Sequence, residues 1–261
     1  MRRRISGFLL SMALMLTIPY QAVGAESVDK LDQIISLHGN GLTKEELKDS
    51  LSDYSEQEGI TQDQAADQIL KELQTSKAAI EPMREKTEIP EKDKETISLY
   101  SSQISPFSDS GSDGDLQLDR SRKGTFFYQP ASTLIVIPHG HIGMYYTTTL
   151  IIEAANPDDG IRQALVSDRK VAKGSRIMST SLTTAAEDSN AANWAYGKKG
   201  NGYNSNFAVN RSCGGPKYNC SQLVWCAFKE KAGIDLDSNK GAGVYPKDIR
   251  DHDDVYDIKV Y

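Results

Sequence analysis

The segment Cys220–Ser221–Gln222–Leu223–Val224–Trp225–Cys226–Ala227–Phe228 decides what the C-terminal half of this chain can become. Leu223, Val224, Ala227 and Phe228 fall at helical spacing, and Gly233 stands where a C-cap belongs, so a helix is predicted over residues 221–232. Such a helix has one apolar face that must be covered. The cover comes from upstream runs rich in aromatic and β-branched residues, at 124–128, 132–137 and twice within 143–152, which read as strands. The fold class is therefore α+β, a small antiparallel sheet packed on the cysteine helix. A second helix is expected at residues 185–196, and residues 158–165 read as a connecting turn or helix rather than a strand.

The first residues have a different character. Arg2, Arg3 and Arg4 precede an apolar run at 5–18 and the small residues Val23, Gly24 and Ala25. That order is a secretory signal over residues 1–25, and the run falls short of the roughly 20 residues a stable membrane span needs. A secreted, extracellular bacterial protein, associated with the cell wall, is the expectation. Residues 26–95 form an acidic helical region, a spacer or a propeptide, in which Thr43 and Glu46 are spaced as a capping box and Thr61 precedes a second helix start. Residues 96–123, rich in Ser, Asp and Gly, read as a flexible linker. Residues 124–261 hold the catalytic domain. The net charge of −6 comes from the segment before residue 124, and the nearly neutral remainder lacks the basic stripe of a nucleic-acid binder.

Chemistry is concentrated in few residues. A cysteine that opens a helix feels the partial positive charge of unpaired amides, which favours thiolate, although a small buried thiol has the same sequence signature. A thiolate nucleophile needs an imidazole. His38 lies in the acidic region and His252 in a run of aspartates, whereas His139 and His141 open a strand in the same domain as Cys220. Alternation puts that pair on one face, with Gly140 and Gly143 leaving room for close approach. A His-x-His metal pair is the competing reading, but no cysteine or carboxylate of familiar spacing completes it. Glu153, twelve positions on, is the group that would orient the imidazole from the next strand of a hairpin, although a carboxylate at a strand end is more often solvated. Ser221 competes with Cys220 as nucleophile and is the weaker of the two at neutral pH.

In sum of motif, the chain resembles the circularly permuted relatives of the NlpC-type papain-like peptidases, which include lecithin retinol acyltransferase-like enzymes. The residues that carry the resemblance are His141–Ile142–Gly143–Met144, Glu153–Ala154, and Tyr218–Asn219–Cys220–Ser221–Gln222–Leu223–Val224–Trp225, with weaker agreement at Gly202–Tyr203–Asn204 and Val244–Tyr245–Pro246. The likeness covers residues 124–257. It implies a permuted papain-like fold, Cys220 as nucleophile, His141 as base, Glu153 as the orienting group, a Cys220 amide in the oxyanion hole, Tyr203 lining the site, His139 as a substrate contact or turn residue, and no cofactor. It further implies a cysteine hydrolase of amide bonds in peptidoglycan or peptides. An acyltransferase or lipid-directed hydrolase, a non-enzymatic surface module, and an N-terminal half that covers the cleft are the alternatives. Export permits a disulfide between Cys213 and Cys226, but the place of Cys226 on the helix favours two reduced thiols.

Overall fold

The computed structural model describes residues 24–38, 41–75, 89–101, 116–130 and 140–261. The expected leader up to residue 23, the centre of the linker, the expected strand at 132–137 and His139 lie outside them. Helices α1 (Gly24–His38), α2 (Lys44–Glu58), α3 (Gln62–Thr75) and α4 (Glu91–Ser101) come first. Then follow β1 (Leu116–Gln117), β2 (Phe126–Gln129), β3 (His141–Tyr145), β4 (Leu150–Asn156), β5 (Gly160–Leu165), β6 (Lys170–Val171) and β7 (Arg176–Thr180). Helix α5 (Ala185–Tyr196), strands β8 (Gly202–Tyr203) and β9 (Lys217–Tyr218), helices α6 (Cys220–Ala232) and α7 (Pro246–Arg250), and β10 (Val255–Val260) complete the order.

Six strands make an antiparallel sheet in the order β10-β7-β2-β3-β4-β5. The period-2 alternation of its strands sorts their side chains between two apolar layers. Phe126, Tyr128, Ile142, Met144, Ile152 and Ala154 share one layer with Leu223, Val224 and Phe228 of α6. Phe127, Tyr145, Ile151, Ile177 and Tyr256 enter the other, with Leu118, Val166 and Val171. Helix α6 is buried from Cys220 to Phe228, and Gly233 closes it in the left-handed conformation a C-cap glycine supplies (φ 68°).

Residues 158–165 depart from the expectation of a turn or helix. They contain an edge strand, β5, joined to β4 by a tight reversal in which Asn156 Oδ1 accepts the N–H groups of Asp158 and Asp159, both at 2.9 Å. Ile161, Ala164 and Leu165 mimic helical spacing, but an edge strand needs few buried positions, and here Ile161 is the one fully covered. Gly160 makes the reversal possible. It has φ +59°, and a Cβ there would lie 2.4 Å from the Asn201 carbonyl oxygen.

The acidic helices are docked. Leu31, Ile34, Leu47, Leu51, Ile69 and Leu73 are buried in the same apolar layer as Phe207, Leu236, Val244 and Tyr245, each such side chain stabilising by about 2 kcal/mol. Polar contacts set the register of this docking. The Phe207 N–H donates to His38 Nε2 at 2.9 Å, Asn206 Nδ2 to Ser50 Oγ at 2.6 Å, and Asn239 Nδ2 to Glu72 Oε1 at 3.3 Å. The capping box read at Thr43 and Glu46 forms at the start of α2. Helix α4 runs into the expected linker, and residues 116–123 are ordered against the sheet: Leu118 is buried and Arg122 pairs with Asp93 and Asp188. Among the described residues no helix is long and apolar enough to cross a membrane.

Candidate active site

Cys220 is the first residue of α6, and the turn that presents it is fastened on every side. Asn219 is the N-cap: its Oδ1 accepts from the Gln222 N–H at 2.9 Å, while the Asn219 N–H donates to Gln222 Oε1 at 3.2 Å. This reciprocal box satisfies amides that a helix start leaves unpaired. Asn219 Nδ2 donates to the Asn206 carbonyl at 3.2 Å, and Asn210 Nδ2 donates both to Asn219 Oδ1 at 3.1 Å and to the Val244 carbonyl at 2.9 Å. The loop that holds Asn206 is itself the surface on which α1 and α2 dock, so the N-terminal helices brace the cysteine turn.

The backbone N–H groups of Ile142, Ser221 and Cys220 point at the sulfur and favour thiolate. Burial opposes them and wins, helped by the negative charge of Glu153, so the thiol is pushed up to about 12. The thiolate expected from a helix-start position is therefore outweighed by complete removal from water: Cys220 is 0% exposed. At neutral pH the resting group is a thiol.

His141 and Glu153 meet as the hairpin reading anticipates. Their strands are neighbours, and His141 Nε2 lies 2.8 Å from Glu153 Oε2 with both side chains buried. Gly143 makes the approach possible, since a Cβ there would stand 2.6 Å from Phe127 Cε1 and 3.2 Å from Glu153 Cβ. Glu153 is not the solvated strand end that its position suggests. Burial would raise its pKa, but the bond from His141 and the guanidinium groups of Arg169 and Arg162 hold it down at about 2. Arg169 Nη1 is 3.2 Å from Oε2 and Arg162 Nη2 is 3.3 Å from Oε1. An ionised carboxylate only accepts, so Nε2 carries the proton and donates, which leaves Nδ1 as the basic nitrogen. Burial lowers the His141 pKa from its usual value, against the raising effect of Glu153, and the two arginines lower it further.

His141 and Glu153 are thus brought together, and Cys220 is set against the amide of the residue that follows His141. Among the described residues no hydrogen bond joins thiol and imidazole directly. Alternation along β3 turns Ile142 and Met144 into the layer that contains Cys220, and turns His141 toward Phe127, whose ring centroid is 5.8 Å from its own. Tyr203 is buried beside Phe207 and in register with Tyr218, two residues before Cys220. Ser221 does not compete as nucleophile, because its hydroxyl donates to the Val244 carbonyl at 2.6 Å. His38 accepts the Phe207 amide, and His252 Nδ1 accepts the Asp254 N–H at 3.1 Å, so both serve local structure. His139 lies outside the described residues.

Cys213 and Cys226 form a disulfide, which corrects the expectation of two reduced thiols and leaves Cys220 as the free cysteine. The helix carries Cys226 on the side that faces the Cys213 loop, and that loop is drawn in by Tyr218 Oη donating to the Cys213 carbonyl at 2.6 Å. Arg169 escapes sequence reasoning, because no spacing links an arginine after β5 to a carboxylate on β4, whereas Arg162 stands opposite Glu153 in the β4–β5 register and is missed because residues 158–165 read as a turn or helix. The Asn219–Gln222 box has a readable signature, Asn-x-x-Gln ahead of an apolar run. Among the described residues no group of three or more His, Cys, Asp or Glu is arranged to hold a metal ion.

No protein-family model matches the chain. It is 34% identical over 254 residues to the uncharacterized protein YycO of Bacillus subtilis (strain 168), across 95% of this chain and 94% of YycO. Among solved structures, metalloprotein yiiX from Escherichia coli O157:H7 (DUF1105) is 12% identical, with a TM-score of 0.42, over 54% of this chain and 98% of that one.

Proposed function

The chain belongs to the family of Bacillus subtilis YycO, and for this member we propose a secreted cysteine hydrolase of permuted papain-like fold that cleaves amide bonds in cell-wall peptides. The observation that carries the proposal is the buried His141–Glu153 pair at 2.8 Å, one residue from the amide that points at the Cys220 sulfur. A carboxylate held ionised in the interior costs desolvation, and its use here is to fix one imidazole tautomer with Nδ1 basic.

The reaction follows from these protonation states. The resting pair is a neutral thiol and a neutral imidazole. As the Cys220 sulfur attacks the carbonyl carbon, its proton passes to His141 Nδ1, and Glu153 stabilises the imidazolium across the Nε2 bond. His141 faces Phe127 in the resting structure, so this transfer requires its ring to turn to the sulfur when substrate binds. The carbonyl oxygen, negative in the tetrahedral intermediate, is stabilised by backbone N–H groups at the start of α6, where the amides of Cys220 and Ser221 converge. His141 then protonates the leaving amine, and water releases the acyl group from sulfur. Export and the cell-wall substrate rest on the basic-apolar leader of the sequence.

A second reading has an observation of its own. The complete burial of Cys220 and its raised pKa also fit a surface module that keeps this architecture without turnover. Hydrolysis of purified peptidoglycan fragments, followed by release of new amino groups, separates the two. The enzyme reading expects activity in the wild type and none in Cys220→Ala with an unchanged circular dichroism spectrum. Equal activity in both proteins, or none in either, rejects it.

A further inference from the structure

The far end of α6 carries a cavity that the cysteine chemistry does not use. Lys231 is eleven positions beyond Cys220, about 16 Å along the axis at 1.5 Å per residue. There, Asn190, Asn193, Trp194, Gly197, Lys198 and Lys231 line a surface cavity of about 590 Å³. The charge around it is one-sided. Lys198 Nζ stands 4.4 Å from the centre of the Trp194 ring and 5.5 Å from that of Tyr218. Lys123 Nζ donates to Asn193 Oδ1 at 2.5 Å and lies 4.5 Å over Tyr146, whose ring stacks on Tyr196 at 3.8 Å. Lys199 lies 5.0 Å over the Tyr196 ring.

Among the described residues none of Lys123, Lys198, Lys199 and Lys231 has a carboxylate within ion-pair distance, although the whole chain is acidic, at −6. Lys198 and Lys231 line the cavity and Lys123 is bonded to its Asn193, and ammonium groups gathered in this way raise the local potential and attract anions. The remaining lining is not that of a plain anion site. Trp194 is half-buried and lines the cavity, and Asn190 and Asn193 are exposed, with carboxamides that donate and accept, Asn193 Oδ1 already accepting from Lys123. An aromatic surface suits the C–H face of a sugar ring, carboxamides suit its hydroxyls, and the ammonium groups suit a phosphate or carboxylate attached to it.

We propose that this cavity binds an anionic saccharide, with Lys198 and Lys231 on the charged group, Asn190 and Asn193 on hydroxyls, and Trp194 against the ring. The site is separate from Cys220 and stands whether or not that residue turns over a substrate.

The protein carries its own reporter. Of its two tryptophans, Trp225 is fully buried with Nε1–H donating to Asp235 Oδ1 at 2.7 Å, so a ligand-dependent emission change comes from Trp194. The full chain is titrated with N-acetylglucosamine 6-phosphate, with N-acetylglucosamine and with inorganic phosphate. The expected result is saturable binding of the sugar phosphate at least ten-fold tighter than either part alone. In Lys198→Gln/Lys231→Gln it weakens ten-fold or more, and Asn190→Ala weakens the sugar phosphate while leaving inorganic phosphate unchanged. Inorganic phosphate binding as tightly as the sugar phosphate reduces the cavity to an ionic patch and overturns the assignment. So does a double variant that binds as the wild type does, or the absence of any saturable change.

Discussion

Replacing Glu153 by Gln removes one charge from the interior and leaves the shape nearly intact, so its effect isolates what the ionised carboxylate does. In the folded protein Glu153 is held at about 2, against roughly 4.3 for an unperturbed glutamate. Two to two and a half pKa units, at 1.36 kcal/mol each, make about 3 kcal/mol of stability at neutral pH. The direction follows from the depression. The contribution is complete above the unfolded value and is lost as pH falls from about 4.5 through about 2. Urea denaturation of wild type and Glu153→Gln should show the wild type more stable by about 3 kcal/mol at pH 7. The gap should be the same at pH 6 and should close between pH 4.5 and 2. Arg169, half-buried and left without its carboxylate at 3.2 Å, adds to the cost at pH 7, since a partly desolvated charge loses its partner. The difference between the two proteins cancels the titration of groups that Glu153 does not touch; His141, whose pKa Glu153 raises, binds its proton less readily in the variant. A gap near zero at pH 7, or one that persists unchanged to pH 2, refutes the claim that an ionised Glu153 anchors His141.

Reducing the Cys213–Cys226 bridge, which closes a loop of sequence separation 13, should lower stability by about 3 kcal/mol from chain entropy; coincident denaturation midpoints with and without reductant would contradict this. Glu72, buried near Asp248 and Asp237 with Asn239 Nδ2 between the carboxyls of Glu72 and Asp248, is raised to about 8. Its contribution is complete below the unfolded value and is lost as pH rises toward and through 8, so Glu72→Gln should match the wild type near pH 4 and exceed its melting temperature increasingly up to pH 9. A constant difference across that range would remove Glu72 as the cause. Gly143→Ala should cost about 1–3 kcal/mol, because the new methyl meets Phe127 at 2.6 Å, and should depress catalysis further by pushing Glu153 from His141. Unchanged stability and activity would show that the glycine is not required for that approach.

What could be read in advance was whatever depends on local pattern. Helices α5 and α6, the Thr43 box and the pairing of strands around His141 and Glu153 all follow from spacing within a dozen residues. Strand β5 did not, because Ile161, Ala164 and Leu165 fit a helical period and only the partner strand decides between the two. The docking of α1–α3 depends on residues such as Phe207 and Val244, far away in the chain. An acidic stretch of modest hydrophobicity gives no sign of so distant a cover. The state of Cys220 illustrates a competition of magnitudes. Helix-start amides favour thiolate by a local rule, whereas desolvation depends on everything packed around the sulfur, and the second is larger here. Arg169 has the same lesson for Glu153: the group that keeps the carboxylate ionised arrives from beyond β5, with no spacing to announce it.

The measurement that bears most directly on Cys220 as a nucleophile activated by His141 is the rate and place of covalent labelling by iodoacetamide, read by peptide mass spectrometry at pH 7 on the folded protein. Cys220 is the free cysteine, and its thiol is protonated at rest, so labelling must draw on His141 as base. The account predicts a single adduct, on Cys220, formed at least ten-fold more slowly in His141→Ala and in Glu153→Gln. No adduct on Cys220, or a Cys220 rate indifferent to both substitutions, contradicts it.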